Sequence, residues 1–319
     1  MSGKKTLCLV TGGAGFIGSN LVDGLLARGC RVRVLDNFST GKAANLKHCR
    51  SRIELVRGDL RDEKTLRRAV TGVSYVFHMA AIAAVAQSVD QPVETHDVNV
   101  TGIFRLLLES RDAGVKRVIF TSSSAVFGET LKFPTREEDP YKPESPYGAS
   151  KLMGEYYCQV FSKAYGLETV SLRYFNVYGP RQNPKSRYAN VIPIFLKCLL
   201  EGVPAEVHWD GKQSRDFVHV ADVVAANLLA MKKPGISGES FNIGTHTEIR
   251  IIDCLRGLQK ILGLKKIRIR YGAKRPGDVR RTFADITKAR RLLGYRPSVS
   301  FARGLKDTVS WFLRNPERL

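Results

Sequence analysis

The chain has 319 residues, of which 43% are hydrophobic and 25% are charged, and these proportions are ordinary for a globular protein. That length accommodates one large α/β domain with a smaller partner, or two mid-sized domains, and can bury a sizeable core without disulfides. The formal net charge of +21 favours anionic partners such as nucleic acid, anionic lipid or phosphorylated small molecules.

Cysteine spacing and the apolar runs exclude further classes. The six cysteines form no CxxC pair and have no histidine at ligand spacing, so we expect neither a disulfide framework nor a metal site. No uncharged apolar run reaches the length of a membrane span, and no signal peptide precedes the first apolar segment. We therefore expect a cytoplasmic protein with no membrane partner. The histidines expected to be structural are His78, His96, His208 and His219.

Short apolar segments alternate with helical patterns through the first half of the chain, which is typical of a parallel, doubly wound sheet. The predicted strands are Thr6–Val10, Arg31–Leu35, Ile53–Val56, Tyr75–His78, Arg117–Thr121 and Thr169–Leu172. The predicted helices lie near Phe16–Arg28, Glu63–Val70, Val98–Ala113 and Pro146–Tyr165. This order predicts an α/β fold built on a Rossmann sheet.

The pattern loosens after about Tyr174. A helix is predicted near Ile192–Glu201 and a final one near Phe301–Leu313, with mixed short elements between them. Charged and apolar residues alternate through Lys265–Arg270, which indicates a strand with one solvated face. We predict a Rossmann domain over residues 1–175 and a smaller α/β domain over residues 176–319, with an interleaved boundary.

A glycine-rich loop, TGGAGFIG, follows the first strand and precedes an apolar helix. Its glycines permit a tight turn and let backbone N–H groups at the start of the helix approach a pyrophosphate. Asp36 ends the second strand, where a carboxylate accepts hydrogen bonds from the adenosine ribose and repels a 2′-phosphate. The pattern therefore predicts NAD rather than NADP. The residues predicted to bind it here are Gly12, Gly15, Phe16, Ile17, Gly18, Asp36 and Asn37, with Asp59 and Leu60 at the adenine.

Tyr147 and Lys151 stand four residues apart, so both lie on one face of a predicted helix. A tyrosine that acts as a base near neutral pH needs a pKa well below its usual value near 10. A cation about 4 Å away supplies about 4 kcal/mol at an intermediate dielectric, so Lys151, helped by a positive nicotinamide ring, suffices in magnitude. The serines at positions 122–124 end the fifth predicted strand. We predict that these serines and the helix that carries Tyr147 and Lys151 form one catalytic site.

The sequence resembles the extended short-chain dehydrogenase/reductases, and within them the nucleotide-sugar epimerases of the UDP-glucose 4-epimerase type. The resemblance covers nearly the whole chain. It is carried by TGGAGFIG, SSSAVFG, SPYGASK, RYFNVYGPRQNP, QSRDFVHVADV, FNIG and RPGDV. These motifs are specific for enzymes of nucleotide sugars and much less so for one substrate.

The resemblance implies a role for each matching residue. Tyr147 is expected to be the base for the sugar hydroxyl, with Ser123 hydrogen-bonded to the same sugar oxygen. Lys151 is expected to be the electrostatic partner of Tyr147 and to hold the nicotinamide ribose, so that both residues also contact the cofactor. On the cofactor side, Phe175 is expected near the nicotinamide, and Asn99 is expected to support the site. The residues expected to bind the substrate are Ser123, Asn176, Asn190, Val191, Arg215, Arg275, Asp278 and Thr282. Arginines suit a diphosphate because the guanidinium binds phosphate oxygens bidentately.

The two residues after Ser123 indicate the reaction. Related 4,6-dehydratases carry an acidic pair there, and related decarboxylases keep a Glu at the second position. Here Ser124 and Ala125 occupy these positions, and neither acts as a general acid or base at neutral pH. A 4-keto sugar can then only take its hydride back, which predicts 4-epimerisation of a UDP-hexose. The alternatives are a uronate epimerase, a CDP- or GDP-sugar epimerase, or a non-catalytic NAD- or RNA-binding protein of this fold.

Two further positions concern the substrate. In the resembling enzymes a bulky Tyr at the position of Thr282 excludes N-acetyl groups, so we predict that N-acetylhexosamines fit alongside plain hexoses. Trp209 stands where the family usually has Gly, and it lies either near the nucleotide base or in the core. The helices near residues 98–113 and 146–165 resemble the pair that forms a dimer interface, which implies a homodimer. No nucleic-acid partner is expected.

Overall fold

The computed structural model describes residues 5–184, 191–274 and 279–319. Its strands, in chain order, are β1 Leu7–Thr11, β2 Arg31–Asp36, β3 Ile53–Arg57, β4 Tyr75–His78, β5 Arg117–Ser123, β6 Glu168–Tyr174, β7 Asn176–Tyr178, β8 Ala205–His208, β9 Ser214–Arg215, β10 Phe217–His219, β11 Glu239–Ile243, β12 Ile249–Arg250 and β13 Ile269–Gly272. Its α-helices are α1 Phe16–Ala27, α2 Glu63–Val70, α3 Val85–Asp90, α4 Pro92–His96, α5 Gly102–Asp112, α6 Pro146–Tyr165, α7 Val191–Leu200, α8 Val220–Lys232, α9 Ile251–Ile261 and α10 Phe301–Arg314.

The central sheet confirms the predicted fold class. Within the described ranges it has seven parallel strands in the order β3-β2-β1-β4-β5-β6-β11. Apolar side chains of α1 and α8 pack on one face, and those of α2, α5 and α6 pack on the other. A third apolar cluster joins α7, α9 and α10 beyond the sheet. The carboxyl ends of the strands therefore share one edge, where a ligand of such a sheet binds.

The second half of the chain contributes to this sheet as well. Strand β11 pairs with β6 along its length, and α8 packs against α1. Both elements follow residue 176, so the chain returns to the first layer after it has begun the second. The division into 1–175 and 176–319 stays a prediction.

Most predicted elements lie within two residues of the observed ones, with two differences. The helix expected near Val98–Ala113 begins as α5 at Gly102, because residues Asp97–Thr101 form a wider π-helical turn. The strand predicted over Lys265–Arg270 is wrong in its first four residues, since β13 begins at Ile269. Ile269 is itself exposed, because β13 pairs with β8 in a sheet that has two strands among the described residues. The alternation of charged and apolar residues therefore did not by itself identify a half-buried strand.

None of the helices in the described part of the chain is long and apolar enough to cross a membrane.

Helix α6 lies unusually close to strand β5. A methyl group at Gly154 of α6 would lie 2.4 Å from Cζ of Phe120 on β5, and Phe120 is fully buried. A close-packed interior cannot absorb such an overlap without moving the helix or the ring. Gly154 therefore sets the distance between α6 and the sheet.

We predict that Gly154→Ala lowers the free energy of unfolding by about 1–3 kcal/mol, because the added methyl overpacks the helix–sheet contact. Gly102→Ala is the matched control, since its methyl would meet only ordinary contacts at 3.4 Å or more and its φ is negative. That variant is expected to raise stability by about 0.4–1 kcal/mol. Urea unfolding followed by circular dichroism measures both. Equal stability of the two variants would contradict the packing argument.

Candidate active site

The first turn of α6 is held by two serines. Ser145 caps the helix, since its Oγ accepts a hydrogen bond from the backbone N–H of Gly148 at 3.1 Å, and Pro146 fits the first helical position. The backbone N–H of Tyr147 donates to Oγ of Ser88 on α3 at 3.0 Å. The start of α6 is therefore tied to α3, and Tyr147 enters the site from a fixed position.

The predicted catalytic residues meet where β5 ends. Tyr147 is buried beside Ser123, the last residue of β5. The Lys151 ammonium donates to the backbone carbonyl of Thr121 at 2.8 Å. Its Nζ lies 5.8 Å from the centroid of the Tyr147 ring. The fold thus brings Ser123, Tyr147 and Lys151 together as the sequence predicted.

Burial dominates the electrostatics of this group. It lowers the pKa of Lys151 to about 7, because a charged ammonium loses its hydration. It also raises the pKa of Tyr147, and the neighbouring Ser123 side chain lowers that pKa by less. The described residues alone therefore do not produce the lowered tyrosine pKa that was predicted from the charge of Lys151. The geometry agrees with that analysis, whereas the energetics differ because a buried lysine loses solvation as well as providing charge.

Asn99 supports the site through the backbone of α6. Its side-chain oxygen accepts from the N–H of Ile82 at 2.8 Å, and its amide donates to Oγ of Ser150 at 3.0 Å. Ser150 in turn donates to the carbonyl of Tyr147 at 2.8 Å. A buried polar chain thus links the loop after β4 to the catalytic helix, with every bond made inside the protein.

The glycine-rich loop shows two different reasons for glycine. Gly12 has φ +67°, and a methyl group there would lie 2.7 Å from the backbone nitrogen of Ala80. Gly15 has an ordinary φ of −73° at the start of α1, and a methyl there would meet only the Gly12 carbonyl, at 3.1 Å. Protein packing explains Gly12 but leaves most of the space beside Gly15 open. Phe16 and Ile17 follow as the first residues of α1, and Gly18 packs against the loop itself.

Asp36, the last residue of β2, and Asp59, just after β3, lie at the same sheet edge. Asp36 is buried, and its two oxygens accept from the N–H groups of Ala14 and Phe38, each at 2.8 Å. Asn37 donates to the Asp59 carboxylate at 2.9 Å. The Arg61 side chain beside Asp59 lowers the pKa of that carboxyl to about 2, so it is ionised. Leu60, next to it, is buried.

These residues fit an NAD molecule. The open side of Gly15 lets a pyrophosphate approach the N-terminus of α1, where unpaired N–H groups favour an anion. Each Asp36 oxygen accepts one backbone hydrogen bond and keeps a lone pair for a ribose hydroxyl. The loop, the aspartate and the catalytic helix therefore border the carboxyl edge of one sheet.

Some of the predicted substrate residues also come together. The Thr282 hydroxyl donates to the side-chain oxygen of Asn176 at 2.8 Å. Arg215 is buried, and its Nη1 donates to the carbonyl of Ser214, which also accepts from the backbone of Thr282 at 3.1 Å. Phe175, which follows β6 and directly precedes Asn176 in the chain, is buried. Val191 begins α7. Asn190, Arg275 and Asp278 lie outside the described residues.

Trp209 does not pack in the core. Its ring is half-buried, with Lys274 Nζ 4.6 Å and Arg280 Cζ 4.7 Å from the ring centroid, as in cation–π contacts. Its φ of +59° lies in the left-handed region, which suits the glycine usual in the family. The core-packing alternative is wrong, and proximity to the nucleotide base stays a prediction.

Two of the histidines expected to be structural, His78 and His219, make contacts within the protein. His78 is buried against Thr11, with Nδ1 and Oγ1 2.8 Å apart, and His219 caps α8. The fold does gather Asp23, His48 and Cys49 within ligand range of one another, a grouping that their sequence spacing did not suggest. Asp23 already bonds His48 and Arg181, each at 2.7 Å, so contacts within the protein account for the positions of Asp23 and His48.

The geometry agrees with what known proteins show. The sequence profile of the NAD dependent epimerase/dehydratase family matches residues 8–244. The chain belongs to this family. The family expected from the motifs is therefore confirmed, and NAD is its cofactor.

Relatives match over nearly their whole length. A UDP-glucose 4-epimerase from Mycolicibacterium smegmatis is 40% identical, over 95% of this chain and 97% of that protein. The crystal structure of a UDP-glucose 4-epimerase with UDP-glucose from Thermotoga maritima has a TM-score of 0.93 at 42% identity, covering 98% and 100% of the two chains. A UDP-N-acetylglucosamine 4-epimerase from Methanobrevibacter ruminantium, in complex with UDP-N-acetylmuramic acid, has a TM-score of 0.93 at 36% identity, covering 98% and 99%.

Several residues of the site escaped the sequence analysis. Ser88 and Ser150 hold Tyr147 through its backbone, and single serines carry no sequence signal for such a role. Glu155 lies one turn beyond Lys151 and is fully buried. Its spacing of four from Lys151 and eight from Tyr147 was a usable signal, since all three must share one helix face.

Proposed function

We propose that the chain catalyses the NAD-dependent 4-epimerisation of a UDP-hexose through a transient 4-keto sugar. The observation that carries this proposal is the grouping of Ser123, Tyr147 and Lys151 at one strand end, followed by two residues without acid–base chemistry. The 4-epimerases among the relatives, which match over almost the entire chain, support it.

Tyr147 is the acid–base group of the proposed reaction. Its phenolate oxygen accepts the proton of the sugar 4′-hydroxyl. Ser123 hydrogen-bonds the 4′-oxygen of the sugar and holds that oxygen in place. The Lys151 ammonium, fixed by the Thr121 carbonyl, stabilises the negative charge on Tyr147. Bound NAD supplies the hydride acceptor and donor for C4′. Tyr147 then returns its proton to the oxygen after the keto-sugar has turned over.

The reaction stops at epimerisation because of the two residues after Ser123. Ser124 and Ala125 lie in a short 3-10 turn at the end of β5. Neither side chain removes or delivers a proton at neutral pH, so elimination or loss of carbon dioxide from the sugar has no general base or acid there. The keto-sugar is left with reduction on either face.

We propose positions for the diphosphate and the sugar 2-substituent from the predicted substrate residues. Asn176 and Arg215, together with Arg275 and Asp278 outside the described residues, are proposed to hold the diphosphate. Thr282 is small and hydrogen-bonded to Asn176, so its side chain lies beside the proposed position of the diphosphate. We propose that it leaves room for an N-acetyl group at C2′.

Purified protein incubated with UDP-glucose is expected to form the galacto epimer without added NAD, because the cofactor must stay bound to return the hydride. Tyr147→Phe is expected to lower turnover by about 10²–10⁴-fold, since only the base is lost. NMR of the anomeric protons follows both reactions. Near-wild-type turnover by Tyr147→Phe would overturn the mechanism, and no conversion by the wild type would overturn the proposed reaction.

Substrate selectivity tests the role of Thr282. Thr282→Tyr is expected to abolish turnover of UDP-N-acetylglucosamine by steric exclusion while turnover of UDP-glucose survives. Thr282→Val is the matched control, because it removes the hydroxyl bonded to Asn176 without adding bulk, and it should affect both substrates alike. Parallel NMR assays give the ratio of the two rates. Equal losses on both substrates with Thr282→Tyr would refute steric selection.

We propose that a second copy of the chain covers an apolar stripe on α5 and α6. The side chains of this stripe are between 36% and 51% exposed: Phe104, Met153, Tyr156 and Val160. Apolar side chains exposed next to one another mark an interaction surface, whereas single exposed ones do not. Val160→Glu is expected to convert a dimer into a monomer, as measured by light scattering after size exclusion. Tyr271→Glu, at an exposed apolar position on β13, is the control and should remain dimeric. A monomeric wild type would refute the proposal.

A further inference from the structure

One face of α6 carries three buried ionisable residues in successive turns. Tyr147, Lys151 and Glu155 follow one another at intervals of four, and each is at most 9% exposed. Tyr147 and Lys151 have roles in the proposed reaction. Glu155 is a buried carboxylate on the same face for which that reaction gives no use.

Glu155 joins the catalytic helix to three strands of the sheet. The hydroxyl of Ser122 on β5 donates to its Oε1. The hydroxyl of Ser240 on β11 donates to Oε2 at 3.1 Å. Arg173 on β6 approaches Oε2 at 2.7 Å through Nη2 and Oε1 at 2.9 Å through Nε. Both carboxylate oxygens are therefore fully used, and they fix how far α6 can slide along the sheet.

Arg173 is enclosed as completely as its partner. Its guanidinium lies 5.0 Å from the Phe127 ring centroid and 4.8 Å from that of Tyr141. Its remaining N–H groups donate to the Tyr141 hydroxyl at 2.7 Å and the Glu137 carbonyl at 2.9 Å. A buried ion pair is often no more stabilising than apolar residues of equal volume. Stability alone therefore gives little reason for this pair to lie beside the catalytic lysine.

Few ionisable groups among the described residues lie near the Lys151 ammonium. They include Tyr147, Glu155 and Cys158 on α6, His78 on β4, and Arg173 and Tyr174 on β6. Burial lowers the pKa of His78 to about 3 and raises those of the Cys158 thiol and the Tyr174 phenol, so all three are neutral near pH 7. With Cys158 neutral, Glu155 is the negative charge among the described residues that opposes the desolvation of Lys151, and it raises the pKa of that lysine.

We propose that Glu155, held by Arg173 and Ser122, is a positioning residue that docks the catalytic helix and keeps Lys151 charged beside Tyr147. This inference rests on the proposed function. The active form of the Tyr147–Lys151 pair carries one proton fewer than the fully protonated form, as phenolate and ammonium together. The rate therefore follows a bell-shaped pH profile whose two limbs belong to the pair.

Charge variants separate positioning from plain structural support. Glu155→Gln leaves Arg173 as an uncompensated cation, which should move both limbs to lower pH by about one unit. Arg173→Met leaves the carboxylate uncompensated and should move them to higher pH. The double variant should give limbs between those of the single variants. Ser240→Ala removes a hydrogen bond without changing charge, so it should lower Tm without moving either limb.

The measurements are the pH profile of kcat for UDP-glucose and a ¹³C NMR titration of labelled lysine side chains, with Lys151 assigned by the loss of its signal in Lys151→Met. The titration needs no turnover, so it tests Glu155 even if the wild type converts no substrate, which would refute the proposed function alone. A lower Lys151 pKa in Glu155→Gln supports the inference. Reduced Tm with unmoved limbs and an unmoved lysine titration, or shifts in the same direction for both single variants, would overturn it.

Discussion

The packing of α6 against the last four residues of β5 is the contact on which the site depends. Each of these strand residues meets one residue of the helix: Phe120 meets Gly154, Thr121 meets Lys151, Ser122 meets Glu155 and Ser123 meets Tyr147. Glycine allows the close approach, and the three polar contacts set the register. Because one helix face meets one strand end, the catalytic groups are placed by the same packing that forms the core.

This arrangement also has an electrostatic consequence. Desolvation disfavours both the Tyr147 phenolate and the Lys151 ammonium, yet the proposed chemistry needs the two charges together. In a low-dielectric site each charge stabilises the other far more than in water. The positive ring of a bound cofactor stabilises the Tyr147 phenolate, and the Glu155 carboxylate stabilises the Lys151 ammonium. The site thus gains reactivity from burial only because its charges are arranged in advance.

The sequence predicted the fold and the residues whose roles follow from local patterns. Gly12, Gly15 and Asp36 are recognisable because a pyrophosphate loop needs glycine and a ribose needs an acceptor, and Tyr147 with Lys151 because helix spacing puts them on one face. The rest depends on tertiary contacts. Burial decided the direction of the tyrosine and lysine pKa shifts, and spacing along the chain carries no measure of burial.

Two other differences have similar causes. Glu155 has the same spacing as the catalytic pair, but its importance appears only when Arg173 is seen opposite it on β6. The alternation in Lys265–Arg270 is typical of a half-buried strand, whereas β13 has one partner strand in the described part of the chain and exposed side chains. A short pattern shows which faces could be apolar, but not whether another layer exists to cover one of them.

The most direct test of the account is the fate of hydrogen at C4′ of the sugar. UDP-glucose carrying deuterium at that carbon should give UDP-galactose that retains the deuterium at C4′ in ordinary water, because the hydride leaves and returns within one enclosed site. Mass spectrometry and NMR of the product measure the retention. Replacement of the label by solvent hydrogen would contradict a transient 4-keto sugar held beside Tyr147, since it would show that inversion proceeds by proton exchange.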